Sequence, residues 1–508
     1  MPRILLTLSA LLTAALVAAG CGSDGSSSSA AAGLAPAGSV MYGEVTLKPE
    51  GDQKAAIDSL VEKFPGQGGA SDRIRKLMEN AFADSDSGLS YKKDVEPWLG
   101  DEAAFFVSRL SAGGEDGDGA LLVATDDEDK AKAALDKGID GKKADYKGTE
   151  YFVEDQGAAG VVDGWVVLAT VRGFKAAVDV ADEGRSLDDD ESFQNTLDDA
   201  PEDRLGYVYV NTPALVKTLR QSAAGAPLGQ FDELFKDPFL ATIDAEESGV
   251  RFEATVPKAL AAGFPMVAEG ADLAGGLPAD SWLAMAQPEL GKTLDRYVDL
   301  FGAQLGGRDN AEQQFKASTG LDLQDDVLSW MGDWAVFVRG TSVSELGGAL
   351  IVETSDEEKS GRVIDTIARF ARQSADASEQ VGPLDLPGGG EGVTLRSPDV
   401  PQPIHLFQRD GKVVLAYGDA AAADAISPGQ SLSDTAEFAQ AEDALGGDYN
   451  VSFYLAVEPI LALVDSTSAG ADAEWAQAKP YLEPLGALVG GAQADGDKLR
   501  SAFGVTVK

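Results

Sequence analysis

The chain has 508 residues, 44% of them hydrophobic and 25% charged, which is the balance of a protein with packed cores. At roughly 100–200 residues per domain this length predicts two to four domains. Lys and Arg total 41 against 84 Asp and Glu, a formal net charge of −43, so phosphate backbones and anionic headgroups are repelled and nucleic acid is not an expected partner. A single Cys rules out intrachain disulfides and multi-cysteine zinc sites, and a single His, His405, leaves little imidazole for catalysis.

Residues 1–20 read as a signal peptide. Met1, Pro2 and Arg3 precede an apolar run, Ile4 to Val17, that is too short to span a bilayer core, which needs about 20 residues. The run ends in Ala18-Ala19-Gly20-Cys21. This resembles the lipobox of bacterial lipoproteins, with Ala18 where that motif usually carries Leu. The resemblance implies cleavage between Gly20 and Cys21 and a diacylglyceryl group, with further acylation such as palmitate, on Cys21. The alternative is an ordinary secretory signal in which Cys21 is incidental. Residues 21–37, rich in Ser, Gly and Ala, are expected to form a flexible tether, because such a composition buries too little apolar surface to order itself.

Beyond the tether, β-rich runs are predicted at Val40–Leu47, Ala103–Leu110, Ala120–Ala124, Val161–Ala169 and Gly206–Val210. Helical spacing is read at Asp72–Ala83, Glu128–Lys137, Phe174–Ala181 and Pro213–Leu219. Strands that follow one another without an intervening helix predict an antiparallel α+β unit.

The second half repeats the first. Ser87–Phe106 aligns with Thr319–Val338 at 9 identities in 20, and Gly119–Lys130 with Gly348–Lys359 at 8 in 12. Asp163–Ala169 aligns with Asp410–Ala416 at 6 in 7. The chain is therefore read as a tandem duplication: a first unit at 38–258, a linker at 259–274 and a second unit at 275–508. The alignment pairs Asp94 with Asp326, Trp98 with Trp330, Gly100 with Gly332, Asp101 with Asp333 and Phe105 with Phe337. A Trp closing a short helix, then Gly-Asp before a strand, is how a helix is pinned and turned into a sheet. A duplicated aromatic site for sugar or peptide has the same look.

Asp94-Val-Glu-Pro-Trp-Leu-Gly-Asp101, the Tyr151-Phe-Val strand followed by Asp163-Gly, and Ser186-Leu-Asp-Asp ahead of Phe193 resemble the bacterial family known as domain of unknown function 3352. Its members are largely exported or membrane-attached and carry no assigned activity. The resemblance implies an architecture and brings no functional residues.

No catalytic, cofactor or metal site emerges from the residues. His405 stands in a strand-like segment with no evident match in the first unit, and its loss is expected to cost little. Of the acidic runs Glu115–Asp118, Asp126–Asp129 and Asp188–Glu191, the second fits a helix N-terminus; solvated or capping acid is the reading, with weak calcium binding as the alternative. Two functions remain. One is a non-enzymatic binding or scaffolding module on the extracytoplasmic face of the cell membrane, held by its lipid and facing an envelope protein or cell-wall polymer. The other is a carboxylate-dependent hydrolase of wall polysaccharide.

Overall fold

In the computed structural model the described residues are 30–508, apart from 67–68, 85–87, 111–116, 199, 201–203, 223–235, 258–272, 303–306, 375–378 and 497. The signal peptide, Gly20 and Cys21 lie outside the described residues. The chain divides into two compact units between Leu260 and Ala261.

The first unit is an antiparallel sheet with helices on both faces. Its strands are β1 (Met41–Thr46), β2 (Leu99–Arg109), β3 (Asp118–Thr125), β4 (Lys142–Tyr146), β5 (Thr149–Glu154), β6 (Gly157–Val162), β7 (Trp165–Thr170), β8 (Gly206–Val210), β9 (Phe239–Glu246) and β10 (Gly249–Pro257). They lie in the order β10-β9-β8-β1-β2-β3-β7-β6-β5-β4. The helices are α1 (Gly51–Lys63), α2 (Ala70–Asp84), α3 (Glu128–Gly138), α4 (Val171–Glu183), α5 (Glu191–Asp198) and α6 (Thr212–Ser222). On one face, Met78 and Phe82 of α2 and Ala131, Ala134 and Leu135 of α3 pack on Leu121, Val123, Val166 and Leu168. On the other, Phe174 and Val178 of α4 and Phe193 of α5 pack on Tyr42, Phe106, Leu122 and Val167. Burial on both faces explains why Trp165–Ala169 reads as an unbroken apolar run instead of an alternating one.

The second unit also has ten strands. Its strands are β11 (Ser281–Gln287), β12 (Met331–Arg339), β13 (Gly347–Thr354), β14 (Gln380–Pro383), β15 (Glu391–Arg396), β16 (Ile404–Arg409), β17 (Lys412–Tyr417), β18 (Asn450–Ala456), β19 (Leu485–Asp495) and β20 (Lys498–Val507). Their order is β20-β19-β18-β11-β12-β13-β17-β16-β15-β14. The helices are α7 (Leu290–Gly302), α8 (Arg308–Thr319), α9 (Glu357–Ser374), α10 (Asp419–Ile426), α11 (Ala436–Asp443), α12 (Val457–Asp465) and α13 (Ala473–Leu482). The α+β class expected from the strand succession is the class of the structure.

Four details differ from the sequence reading. The single strand expected at Val161–Ala169 is two, β6 and β7, joined at Asp163-Gly164, where φ is +44° and +79°. Asp-Gly is the turn that supplies two such residues most cheaply, and Asp410-Gly411 does the same between β16 and β17. The expected tether does not run to residue 37: Ala31, Ala32, Leu34 and Ala35 are buried in the first core with Phe174 and Val178 of α4. Of the expected linker 259–274, Ala274 is likewise a buried core residue of the second unit.

The fourth difference concerns a shared pair. Between the ladder positions Leu99 and Ala103 the first unit bulges through Gly100, Asp101 and Glu102, whereas between Met331 and Trp334 the second has only Gly332 and Asp333. Because alternate residues face opposite sides, that extra residue shifts everything after it. Phe337 faces Ala349, and the residue that faces the matching Ala120 is Phe106. The Phe105–Phe337 equivalence is therefore corrected to Phe106–Phe337.

Candidate functional site

The residues shared by the two units build a corner in each. A single π-helical turn, Tyr91–Val95 or Leu323–Leu328, ends just before the tryptophan. Trp98 and Trp330 are 6% and 2% exposed. Their Nε1–H groups donate to the carbonyls of Asp94 (2.6 Å) and Asp326 (3.1 Å). The Asp94 carboxylate accepts from the Ser90 N–H at 2.8 Å and pairs with Lys137 of α3 at 2.6 Å. The Asp326 carboxylate accepts from the Asp322 N–H at 2.9 Å and pairs with Arg362 of α9 at 3.1 Å. The Lys137 ammonium holds the Asp94 carboxyl below its ordinary range; at Asp326 the Asp322 N–H comes first and Arg362 adds to it. Gly100 and Gly332 let the chain cross the neighbouring strand: a Cβ on either would come within 2.8 Å of Ala124 or 3.2 Å of Glu353. Asp101 pairs with Lys48 at 2.9 Å, and Asp333 accepts from the Glu289 N–H at 3.0 Å.

With rings buried and indole N–H groups satisfied by their own chain, neither tryptophan offers a platform to a ligand. The corner is a pin between helix and sheet. The carboxyls of Asp94 and Asp326 sit on the acidic side of their ordinary range, the opposite of what a general acid needs.

The acidic runs act as caps. Asp127 accepts from the Lys130 N–H at 3.1 Å at the start of α3, and Asp356 from the Lys359 N–H at 3.0 Å at the start of α9. Ser186 donates from N and Oγ to Asp189, and Ser431 does so to Asp434. Among the described residues no group of three or more His, Cys, Asp or Glu is placed to hold a metal ion.

His405 is fully buried on β16. Nδ1 lies 3.0 Å from Thr394 Oγ1, and Nε2 lies 2.9 Å from Asp419 Oδ1. A carboxylate only accepts, so Nε2 carries the proton, and the bare Nδ1 accepts from the Thr394 hydroxyl. That hydroxyl in turn accepts from the Asp385 N–H at 2.9 Å. Burial depresses the imidazole pKa, with Asp419 opposing it. The strand is not peculiar to the second unit: His405 faces Ala416 as Ala158 of β6 faces Ala169. The sequence shows no match for this strand because the two copies differ in residue type along it.

Two features had no signal in the sequence. At the edge of the first unit's sheet an open cleft of about 650 Å³ is lined by Lys132 and Asp136 of α3, Lys143, Lys147 and Glu150 of the β4–β5 hairpin, and Asp182 of α4. Opposite charges alternate around it: Lys143 pairs with Asp136 at 2.7 Å, Lys147 with Asp179 at 2.8 Å and Asp182 at 3.1 Å. The Lys143 ammonium also stands over the Phe152 ring at 5.1 Å. The second feature is Glu102, in the bulge of β2, whose carboxyl is pushed above its ordinary range by burial and then by Glu44 and Asp101.

Three crystal forms of TP0453 share structural features with the chain. Form IV has 10% identity over 44% of this chain and 79% of that one, at a TM-score of 0.25. Form III has 7% identity over 46% and 81% at 0.25, and form I has 8% over 45% and 79% at 0.24. No curated protein matches the sequence. The family described as Protein of unknown function (DUF3352) matches residues 4–488, which is most of the chain, and the protein belongs to that family.

Proposed function

We propose that the protein is an exported, lipid-anchored module of the cell envelope, built from two copies of one unit, that binds a polar envelope polymer without transforming it. The observation that carries the binding reading is the cleft at the edge of the first unit. Its walls alternate ammonium and carboxylate groups that are partly solvated and already paired, a surface suited to a ligand with many hydroxyls and little net charge. Such a ligand exchanges hydrogen bonds with fixed polar side chains and needs no strong field. Support for the duplication comes from the common strand order, the common tryptophan corner and the common caps. Support for the anchor is the Gly20-Cys21 motif in a chain with one cysteine. Acyl chains supply about 0.8 kcal/mol for each buried CH₂, so two or three hold an acidic body on a membrane without basic residues.

Metabolic labelling with palmitate should mark the wild type and leave Cys21→Ala unlabelled, and the variant should leave the membrane fraction. Soluble cell-wall glycan fragments should shift the amide NMR signals of the β4–β5 hairpin. Label elsewhere than Cys21 refutes the anchor; no shift at the hairpin refutes the cleft.

One observation favours the hydrolase reading, the raised carboxyl of Glu102 beside Glu44 and Asp101. Such hydrolysis needs one carboxyl raised above its ordinary range beside a second carboxyl, and Glu102 is raised by burial and by these two neighbours. Turnover of wall glycan that disappears in Glu102→Gln would establish it.

A further inference from the structure

The first unit joins β4 to β5 by Lys147 and Gly148 alone, whereas the second joins β14 to β15 by the loop Leu384–Gly390. A second replacement accompanies that loop. Arg409 faces Lys412 across β16 and β17 where Val162 faces Trp165 across β6 and β7. The first unit closes its core with neither the loop nor the arginine, so the shared fold does not require them. The loop lies against the arginine: a Cβ on Gly388 would stand 3.1 Å from Arg409 Nη1, and one on Gly390 3.6 Å from Nε. Gly388, Gly389 and Gly390 have φ of +86°, +67° and +134°, conformations that other residues rarely adopt. The guanidinium carbon also lies 5.5 Å from the Phe407 ring centroid.

This guanidinium lacks an acceptor. Nε and Nη2 are shut off from solvent and, among the described residues, have no hydrogen-bond partner. The carboxylates of the loop and of the strand after it are used elsewhere: Asp385 pairs with Arg396 at 2.7 Å, and Glu391 accepts from Gln408 at 3.1 Å. Arginine stays charged at any ordinary pH, so it cannot shed the cost of burial by losing a proton. In a chain with 84 acidic and 41 basic residues, a covered arginine without a carboxylate is an arrangement that a ligand completes.

We infer that Arg409 and Gly388–Gly390 form a binding site for a single carboxylate group, that of a small aliphatic acid or of a peptide C-terminus. Nε and Nη2 lie on one edge of the guanidinium plane and match the two oxygens of a carboxylate. One guanidinium neutralises one negative charge. A phosphate dianion would need a second cation, and Lys412, the cross-strand neighbour, already donates to the Ile426 carbonyl at 3.3 Å. The net charge of −43 adds its repulsion to every further negative charge. Leu384 and Leu386 pack on the core from the same loop, which suits an apolar substituent on the ligand. The base of the loop is tied down, with the Leu384 N–H donating to the Gly392 carbonyl at 3.1 Å and the Asp385 N–H to Thr394 Oγ1 at 2.9 Å. The exposed glycines beyond it are the part that lifts to admit the ligand. The inference goes beyond the polar cleft of the first unit and does not depend on it.

The test uses the full chain in a neutral detergent, with propionate, N-acetyl-alanyl-alanine and inorganic phosphate as probes in separate calorimetric titrations. Propionate and the peptide should bind at one saturable site, and the Arg409 Nε–H signal in NMR should move with occupancy. Tighter binding of the peptide assigns the site to a chain end, and tighter binding of propionate to a free acid. Arg409→Gln should weaken binding by about tenfold or more. Arg409→Lys keeps the charge but loses the fork, and should also bind less tightly than the wild type. Arg369→Gln, at an exposed arginine of α9, should leave binding unchanged. Absence of saturable binding by both carboxylates, equal binding by Arg409→Gln, or phosphate bound more tightly than either carboxylate overturns the inference. The wild-type signal decides even where a variant fails to fold: a titration that leaves the Arg409 Nε–H unmoved overturns it too.

Discussion

Phe106 faces Ala120 across β2 and β3, and its chain neighbour Phe105 points to the opposite side of the sheet, over Gly43. Phe106 is 1% exposed and belongs to the core under α4 and α5. Phe106→Ala should therefore cost about 3–5 kcal/mol, the range for emptying a closed aromatic site, with Phe105→Ala well below it. Urea denaturation of the two variants measures the difference. Equal losses would mean that the bulge at Gly100–Glu102 has been assigned to the wrong residue.

Gly43 supplies a second test of the same register. A methyl group there would run into the far edge of the Phe105 ring, which would have to shift to admit it. Gly43→Ala should destabilise the first unit by about 1–3 kcal/mol through overpacking. Adding Phe105→Leu should recover part of the loss, since the two changes share one contact and do not add. A neutral Gly43→Ala would place the ring elsewhere.

The tryptophan corners should respond alike in the two units. Trp98→Ala and Trp330→Ala each empty a buried ring site and should cost about 3–5 kcal/mol, whereas Trp→Phe loses mainly one hydrogen bond, about 1 kcal/mol. Thermal unfolding followed by tryptophan fluorescence checks both. Asp94 and Asp326 have folded-state pKa values below their ordinary 3.8, so their contribution is present above that pH and is lost as pH falls through the lower folded-state values. Asp94→Asn should flatten the acid limb of the stability curve. An unchanged limb would show that Lys137 contributes nothing through this pair.

Much of the fold was legible because repetition carries information that one copy lacks. The Trp98 and Trp330 corners, the caps at Asp127 and Asp356 and the Asp-Gly turns follow from residues that the alignment brings together. The one-residue bulge was not legible. Two adjacent phenylalanines, Phe105 and Phe106, fit the alignment equally well by chemistry, and only the ladder with β3 decides which faces inward. Burial of Ala31, Ala32, Leu34 and Ala35 was equally hidden, because a small-residue segment has the composition of a linker whether or not a core receives it. The cleft depends on which helices lie beside which strands. That is a property of packing, and strand patterns do not encode it.

At His405 the second unit departs from the first. The site filled by Ala158 on β6 is filled on β16 by an imidazole with Thr394 on one nitrogen and Asp419 on the other. The groups that face it are Asp419 at the start of α10, Asp385 before β15 and Arg396 at the end of β15. His405→Gln should cost about 1–3 kcal/mol, more than the near-neutral change expected from sequence, because Gln cannot reach both partners and leaves the buried Thr394 hydroxyl without its acceptor. The pH dependence has a definite sign. Burial holds the folded-state pKa below the ordinary 6.5, so the unfolded chain takes up the proton first. Stability is full above about pH 6.5 and declines as pH falls toward the folded-state value. Chemical denaturation between pH 7.5 and 5 should show this decline in the wild type and lose it in His405→Gln, the only histidine being gone. A decline that survives the substitution belongs to carboxylates, and one that reverses would mean that Asp419 outweighs burial and that the folded protein keeps His405 protonated.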